Sequence, residues 1–272
     1  ARPTHAYHDL SPGLDFETKL FAKPEAAMLL RKTLAKKGYS PKPIALGTNT
    51  DPYQPIERDY RITRQILEVC LETRHPVTIT TKSDRVLMDV DLLVALAREK
   101  LVAVSISVTS LNPVLSAKLE PRCATPCKRL TALGKLVELR VPVHCSISPI
   151  IPAITDEFLE GIIGRIGELG VQSANWIPLR LPHEVAPLFR EWLAVHYPER
   201  AGKVMGIVRE MRGGRDNDPN FHSRFHPQGV WADLIRARFA VACRKAGIGK
   251  KRFELDCSRF KAPELGGQLR LL

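Results

Sequence analysis

The stretch from Ile44 to Glu57, IALGTNTDPYQPIE, sets a short apolar run directly against Thr48, Asn49, Thr50 and Asp51. Two hydroxyls, a carboxamide and a carboxylate in consecutive positions offer donors and acceptors suited to gripping a polar ligand rather than to packing. Strands of a parallel sheet are buried on both faces, so polar side chains gathered at the carboxyl end of one point to a bound group there. The competing reading is a turn, because Asp51-Pro52 and Gln54-Pro55 carry turn chemistry. The same juxtaposition recurs along the chain. Lys82 and Ser83 follow the apolar run 77–81, Ser105 and Ser107 sit inside the run 102–108, Glu120 and Arg122 flank Pro121 after Leu119, and Ser148-Pro149 closes the run 143–147. Each has a plainer alternative: Ser83 as the cap of a following helix, the two serines as strand spacers, Glu120 and Arg122 as a surface ion pair. Their gathering on one rim is what favours a site.

To bring these groups to one rim, the chain needs strands that all run the same way. Apolar, strand-like runs recur at 44–46, 77–81, 102–108, 143–147 and 174–179, with amphipathic segments at 62–73, 85–100, 126–140 and 156–169 between them. A helix is expected over 24–37, stopped by Gly38. Thr125-Pro126 supplies a capping hydroxyl with proline in the first helical position, and Thr155-Asp156 a similar start. Strands joined by helices of this length give an α/β fold with a parallel sheet or barrel. Five strands make an incomplete unit and six make an open (β/α)6 TIM-like barrel. The expected architecture is therefore a partial barrel over residues 1–181 that lacks its first strand in this chain. From Pro182 the pattern is helical only, at 183–197, 198–212 and 230–247 with a polar loop over 212–227, so residues 182–272 are expected to form a helical extension.

Composition narrows the class. The 272 residues are 44% hydrophobic and 26% charged, enough for one large or two modest globular domains. The start, ARPTHAYHDL, has neither the basic opening nor the apolar core of a signal peptide, and no apolar run has membrane-spanning length, so a soluble cytoplasmic protein is expected. The six cysteines, Cys70, Cys123, Cys127, Cys145, Cys243 and Cys257, read as reduced thiols rather than a disulfide framework. The formal charge of +12 is uneven: residues 196–272 hold 16 Lys and Arg against 8 Asp and Glu. That basic region suits a polyanion such as nucleic acid, or serves as a solvated surface. No Gly-rich phosphate loop follows any strand, which weakens an ordinary nucleotide enzyme.

ARPTHAY, LGTNTDPYQPIE, TITTKS, SISVTS, LEPRCATP, SPIIPAITD and MRGGRD together resemble the radical S-adenosylmethionine proteins of the spore photoproduct lyase-like branch, often labelled DNA repair photolyases. The resemblance covers essentially the whole chain. It implies a [4Fe-4S] cluster held by a CxxxCxxC loop directly ahead of a run like Ala1 to His5; that loop is absent here, so the chain is expected to be truncated just after it. The open iron of such a cluster chelates S-adenosylmethionine, whose sulfonium is cleaved to a 5′-deoxyadenosyl radical. Cys123 and Cys127 have CxxxC spacing, but the third position is Leu130, and they read as two ordinary thiols near a helix start.

Carried over residue by residue, the resemblance implies cofactor contacts from Thr48, Asn49, Thr50 and Asp51 at the amino group, Lys82 and Ser83 at the next rim position, and Ser107 on the ribose side. It implies Glu120 and Arg122 near the methionine end, and Ser148 and Pro149 against adenine. Thr48 stands where the lyase that names the branch has a hydrogen-donating cysteine, and a hydroxyl cannot replace a thiol in that step, so repair of spore-type thymine dimers is not expected of this chain. The tail Gln268, Leu269, Arg270, Leu271, Leu272 after Gly266-Gly267 looks like a sliding-clamp docking peptide, the alternative being an apolar end that folds back on its own domain. The expectation is a radical S-adenosylmethionine enzyme acting on nucleic acid. Its rival is a non-catalytic nucleic-acid-binding protein on a degenerate scaffold.

Overall fold

A computed structural model of the chain describes residues 8–11, 13, 15–220, 222–249 and 253–264. Five strands, β1 (Ile44–Leu46), β2 (Val77–Thr81), β3 (Val102–Ser107), β4 (Val143–Ile150) and β5 (Ser173–Pro178), form one sheet. They are all parallel and lie in sequential order. Right-handed crossovers between neighbours in sequential order place every connecting helix on the same face of the sheet. Those helices are α3 (Ile62–Glu72), α4 (Val90–Arg98), α6 (Pro126–Glu138) and α7 (Leu159–Glu168); before α3 come α1 (Ala26–Leu34) and the single turn α2 (Glu57–Tyr60).

The strand registers show why the two faces differ. Ile79, Val104 and Ile106 alternate with Thr78, Thr80, Ser105 and Ser107, and Cys145 and Ile147 alternate with His144 and Ser146. The apolar set joins Leu93, Leu96, Leu133, Leu136, Ile162 and Ile166 in the main core. The polar set faces the other way, where no crossover helix lies. Among the described residues β1 and β5 are the edges of the sheet; on this polar face Ser107, Ser146 and Ser173 are buried, Thr80, Ser105 and His144 half-buried and Asn175 exposed.

The helix expected over 24–37 ends at Leu34, short of Gly38, and the one expected over 156–169 opens with the 3-10 turn Asp156–Phe158; two further departures have clear local causes. The helix expected over 85–100 begins as a 3-10 stretch, Asp84–Asp89, and becomes α-helical only at Val90. Asp89 is buried and its carboxylate accepts from Tyr53 Oη at 3.1 Å and Arg64 Nη1 at 3.2 Å, which holds its backbone off helical angles. The other such departure is α5 (Pro113–Leu119), which hydropathy does not reveal. Asn112 starts it, its Oδ1 accepting from Val114 N at 2.9 Å and Leu115 N at 3.1 Å, with Pro113 in the first turn. Glu120 therefore ends a helix and does not follow a strand. Thr125 does cap α6, whereas the Thr155 hydroxyl accepts from Ile151 N at 2.7 Å and caps nothing.

Beyond β5 lie α8 (Val185–His196), α9 (Pro198–Glu210) and α10 (Val230–Lys245). Phe189, Leu193, Val204, Val208, Trp231 and Ile235 belong to the same core as the strands, so these helices share the sheet's interior. Polar ties add to this: Trp231 donates to Asp156 at 3.1 Å, and Arg238 pairs with Glu160 at 2.7 Å. The described residues 253–264 run along the amino-terminal ends of the strands, Asp256 N to Lys100 O at 2.9 Å and Lys261 N to Thr73 O at 2.8 Å. Among the described residues no helix is long and apolar enough to cross a membrane. Gln268, Leu269, Leu271 and Leu272 lie outside the described residues, as does the ARPTHAY segment.

Candidate functional site

The rim is built first by Gly47. Its φ is +86°, and a Cβ there would stand 1.9 Å from the Thr80 carbonyl oxygen, so only glycine lets the end of β1 turn against β2. Asp51 then staples the loop down. Its Oδ1 accepts from Tyr53 N at 2.9 Å and Thr81 Oγ1 at 2.7 Å, and its Oδ2 from Lys82 N at 2.7 Å. The carboxylate is thus spent on loop shape before any ligand arrives. Thr48, Asn49 and Thr50 are held exposed above it. Ser83 behaves as the helix cap, accepting from Arg85 N at 3.2 Å, while its own N–H donates to Thr81 Oγ1 at 3.0 Å.

At the centre of the rim, Glu120 lies between two cations. One carboxylate oxygen accepts from Lys82 Nζ and the other from Arg129 Nη2 at 2.6 Å. Arg129 is fully buried; its Nε donates to Ala124 O at 2.8 Å and its Nη1 to Ser107 O at 3.1 Å, so one guanidinium binds β3 and the loop after α5 together. Burial pushes the Glu120 carboxyl up, but the Lys82 and Arg129 charges outweigh it and hold the group ionised below its ordinary range. Two cations share one carboxylate, which leaves positive charge facing the rim. Thr109 Oγ1 donates to Ser148 O at 2.8 Å and lies 3.5 Å from Glu120 Oε1, bringing the cis Ser148-Pro149 segment to the same place. Arg122 is exposed at the edge. Cys123 titrates upward, through burial first and then the Glu120 charge, so this thiol is not a ready thiolate.

Below the rim, the polar sheet face continues. Thr80, Ser105, His144 and Ser173 form one row across four strands, and Ser107, Ser146 and Asn175 form the next. His144 Nε2 lies 2.9 Å from Asn175 Oδ1 and Nδ1 2.9 Å from Ser173 Oγ. An amide oxygen accepts only, so Nε2 carries the proton and Nδ1 accepts from the serine, a neutral imidazole. Burial lowers its pKa, opposed by the Asn175 bond.

Of the residues singled out in the sequence, the structure brings Asp51, Lys82, Ser83, Glu120, Ser107 and Ser148 to one rim. Arg129, Thr109, His144, Ser146 and Asn175 were not singled out. Arg129 carried a signal: it falls on the apolar stripe 126, 129, 133, 136 of α6, where a charge requires a partner. His144 and Ser146 alternate with Val143, Cys145 and Ile147, a period of two that marks a half-polar strand.

A sequentially ordered parallel sheet, helices on one face and a polar carboxyl rim define a singly wound α/β fold. Spore photoproduct lyase, solved as a cysteine-to-serine mutant, shares that fold with a TM-score of 0.55 at 11% identity, over 88% of this chain and 66% of that one. No family model matches the chain. An uncharacterized protein of Mycobacterium tuberculosis is 31% identical over 211 residues, 77% of this chain and 62% of the relative. An uncharacterized protein of Methanocaldococcus jannaschii is 32% identical over 157 residues, 57% of each. One of Acidianus two-tailed virus is 30% identical over 158 residues, 56% of this chain and 51% of the relative. The chain thus spans less than two thirds of the length of these relatives.

Proposed function

We propose that the chain is the cofactor-gripping part of a radical S-adenosylmethionine enzyme built on a partial βα barrel, whose concave side is the polar sheet face. The observation that carries this reading is the continuity between the Lys82–Glu120–Arg129 cluster and the hydroxyl rows of β3 and β4. Such a surface offers a cationic end for a carboxylate and hydroxyls for a ribose, which suits a zwitterionic nucleoside. The fold neighbour supports the scaffold, and its name is that of a lyase.

In this reading the loop from Thr48 to Asp51 lies at the amino group. Lys82 and Ser83 stand at the next rim position, Glu120 and Arg122 lie near the methionine end, Ser107 meets the ribose, and Ser148 and Pro149 pack on adenine. The bound cofactor, with a [4Fe-4S] cluster, supplies a 5′-deoxyadenosyl radical. This reading takes the cluster's ligands from outside these residues, as the resemblance implies; among the described residues no group of three His, Cys, Asp or Glu is placed to hold a metal. Cys70 and Cys145 lie buried in the core, where burial pushes their thiols up to about 12. Thr48 argues against repair of spore-type dimers.

Nucleic acid is the proposed partner class, supported by the 16 Lys and Arg against 8 Asp and Glu in residues 196–272. A clamp contact through Gln268, Leu269, Leu271 and Leu272 and a cytoplasmic location belong to the same proposal. The second reading, nucleic-acid binding without catalysis, draws on that basic region alone. Titration calorimetry of S-adenosylmethionine into the reconstituted full-length protein separates them. Loss of one charge-assisted bond is worth roughly 1.5–3 kcal/mol, so Lys82→Met should weaken binding about tenfold or more. No saturable heat with the wild type, alongside retained oligonucleotide binding, leaves only the second reading.

A further inference from the structure

Two residues past the end of β5, Arg180 projects into a second basic cluster that the rim site does not use. Among the described residues it makes no hydrogen bond and no ion pair, and its buried Nε has no acceptor. Its guanidinium carbon lies 4.8 Å from the ring centroid of Phe225, and that of Arg224 lies 5.0 Å from the same ring. Arg212, only 7% exposed, donates from Nη1 to Arg224 O at 2.6 Å and from Nη2 to Leu179 O at 3.1 Å, and its buried Nε also lacks an acceptor. Those two bonds clamp the loop after α9 onto the end of β5, so Arg212 has a structural duty as well.

Three guanidiniums converge here, and among the described residues Asp218 is the carboxylate that acts on Arg180 and Arg212. Its oxygens already accept from Asn220 N at 2.9 Å and Ser223 Oγ at 2.6 Å. Burial, and then the neighbouring like charge, lowers the pKa of both Arg180 and Arg212. Like charges crowded around buried, unpaired donors cost stability, and natural interiors rarely leave such donors without a partner. A planar fork of N–H groups matches the paired oxygens of carboxylate and phosphate alike, and several such cations gathered at one place favour the higher charge of a phosphoryl group. Phe225 is 43% exposed and offers an apolar plate beside the cluster.

We propose that Arg180, Arg212 and Arg224, with Phe225 as their plate, form a phosphoryl-binding site at the carboxyl end of β5. The assignment is independent of the radical reading, since none of these residues belongs to the proposed cofactor contacts. Leu179 N donates to Ile150 O at 2.9 Å, so Arg180 sits directly beyond the Ser148–Ile150 segment. A phosphate fixed there would anchor the rest of its molecule near the rim. The phosphoryl group belongs either to a small phosphate ester or to a nucleic-acid strand, and the probes distinguish these sources.

The test uses the intact protein with three probes at matched ionic strength: inorganic phosphate, a nucleoside 5′-monophosphate and a short single-stranded oligonucleotide. Thermal unfolding and titration calorimetry are read for wild type, Arg180→Ala and Arg244→Ala, the last an exposed arginine of α10 that serves as the charge-matched control. Arg180 holds no hydrogen bond, so its removal leaves the fold intact and does not lower the melting temperature in chloride. At least one probe should raise the wild-type melting temperature and bind saturably. Arg180→Ala should weaken that binding about tenfold, while Arg244→Ala changes it less than twofold. Tightest binding by the monophosphate identifies a small ester, and tightest binding by the oligonucleotide a strand. Saturable binding by none of the three, or equal losses in the two variants, overturns the site. Failure here leaves S-adenosylmethionine binding untouched, so the two proposals fall separately.

Discussion

Replacing Glu120 by glutamine tests the electrostatic centre of the rim. The change keeps size and removes the charge that faces Lys82 and Arg129. Arg129 is 1% exposed on its side chain, and glutamine offers one neutral oxygen and one NH2 where two charged oxygens served Lys82 and Arg129, so the buried guanidinium loses its counter-charge and keeps Ala124 O and Ser107 O. Breaking a buried pair on one side costs about 3–5 kcal/mol, because the remaining charge stays out of water without compensation. Lys82 is 33% exposed, so solvent screens its share, and the lower end, about 3 kcal/mol, is the expected loss. For a protein of this size that corresponds to a fall of about 6–12 °C in melting temperature. The pH dependence carries a second signature. The folded pKa of Glu120 lies below its ordinary value of 4.5, so the stability it contributes is complete above that value and is lost as pH falls through the lower folded pKa. Urea unfolding followed by tryptophan fluorescence at pH 7 and at descending pH reads both effects. Wild type should lose stability in the acid range more steeply than Glu120→Gln. A loss under about 1 kcal/mol at pH 7 would mean that Arg129 is solvated, and would refute the argument that this network is a buried, pre-organised centre.

Gly47→Ala should cost about 2 kcal/mol or more, or prevent soluble expression, because a methyl group there meets the Thr80 carbonyl at 1.9 Å with φ at +86°. Unchanged thermal unfolding would contradict the proposed turn. Asp51→Ala removes the acceptor of three hydrogen bonds and should cost about 2–3 kcal/mol, with Asp51→Asn recovering part of it. Equal losses in the two variants would assign the role to charge rather than to loop shape. His75 and His144 have pKa values lowered chiefly by burial, so unfolded histidine takes up a proton first as pH drops below about 6.5. Melting temperature should therefore fall between pH 7 and pH 5, and less so in His144→Asn; a flat profile would show that both rings reach water when folded.

Much of this was legible in the sequence because the signals are local. The apolar runs located all five strands, and Thr125-Pro126 marked the start of α6 through a cap that the structure shows. What stayed hidden depends on contacts between distant segments. Asp89 leaves helical geometry because Tyr53 and Arg64, from earlier segments, hold its carboxylate. The helix α5 rests on a single asparagine cap, too short a segment for periodicity to register. The same limit applied to the site. Lys82 and Glu120 stood out as polar residues beside apolar runs, but Arg129 lies inside an amphipathic helix. Its function appears only when α6 packs against β3 and presents the guanidinium to Glu120. The plain reading of Ser83 as a cap is the one its hydrogen bond supports, and Asp51 proved to be a staple of the loop as much as a candidate contact.

The central claim, that this rim holds S-adenosylmethionine for radical chemistry, is tested most directly by product. The full-length protein is reconstituted anaerobically with iron and sulfide, reduced in the presence of S-adenosylmethionine, and assayed for 5′-deoxyadenosine by mass spectrometry. The account predicts 5′-deoxyadenosine from the wild type and about a tenfold or greater loss in Lys82→Met, with the cluster spectrum unchanged. An assembled cluster that yields no 5′-deoxyadenosine, or a Lys82→Met protein as active as the wild type, would contradict it.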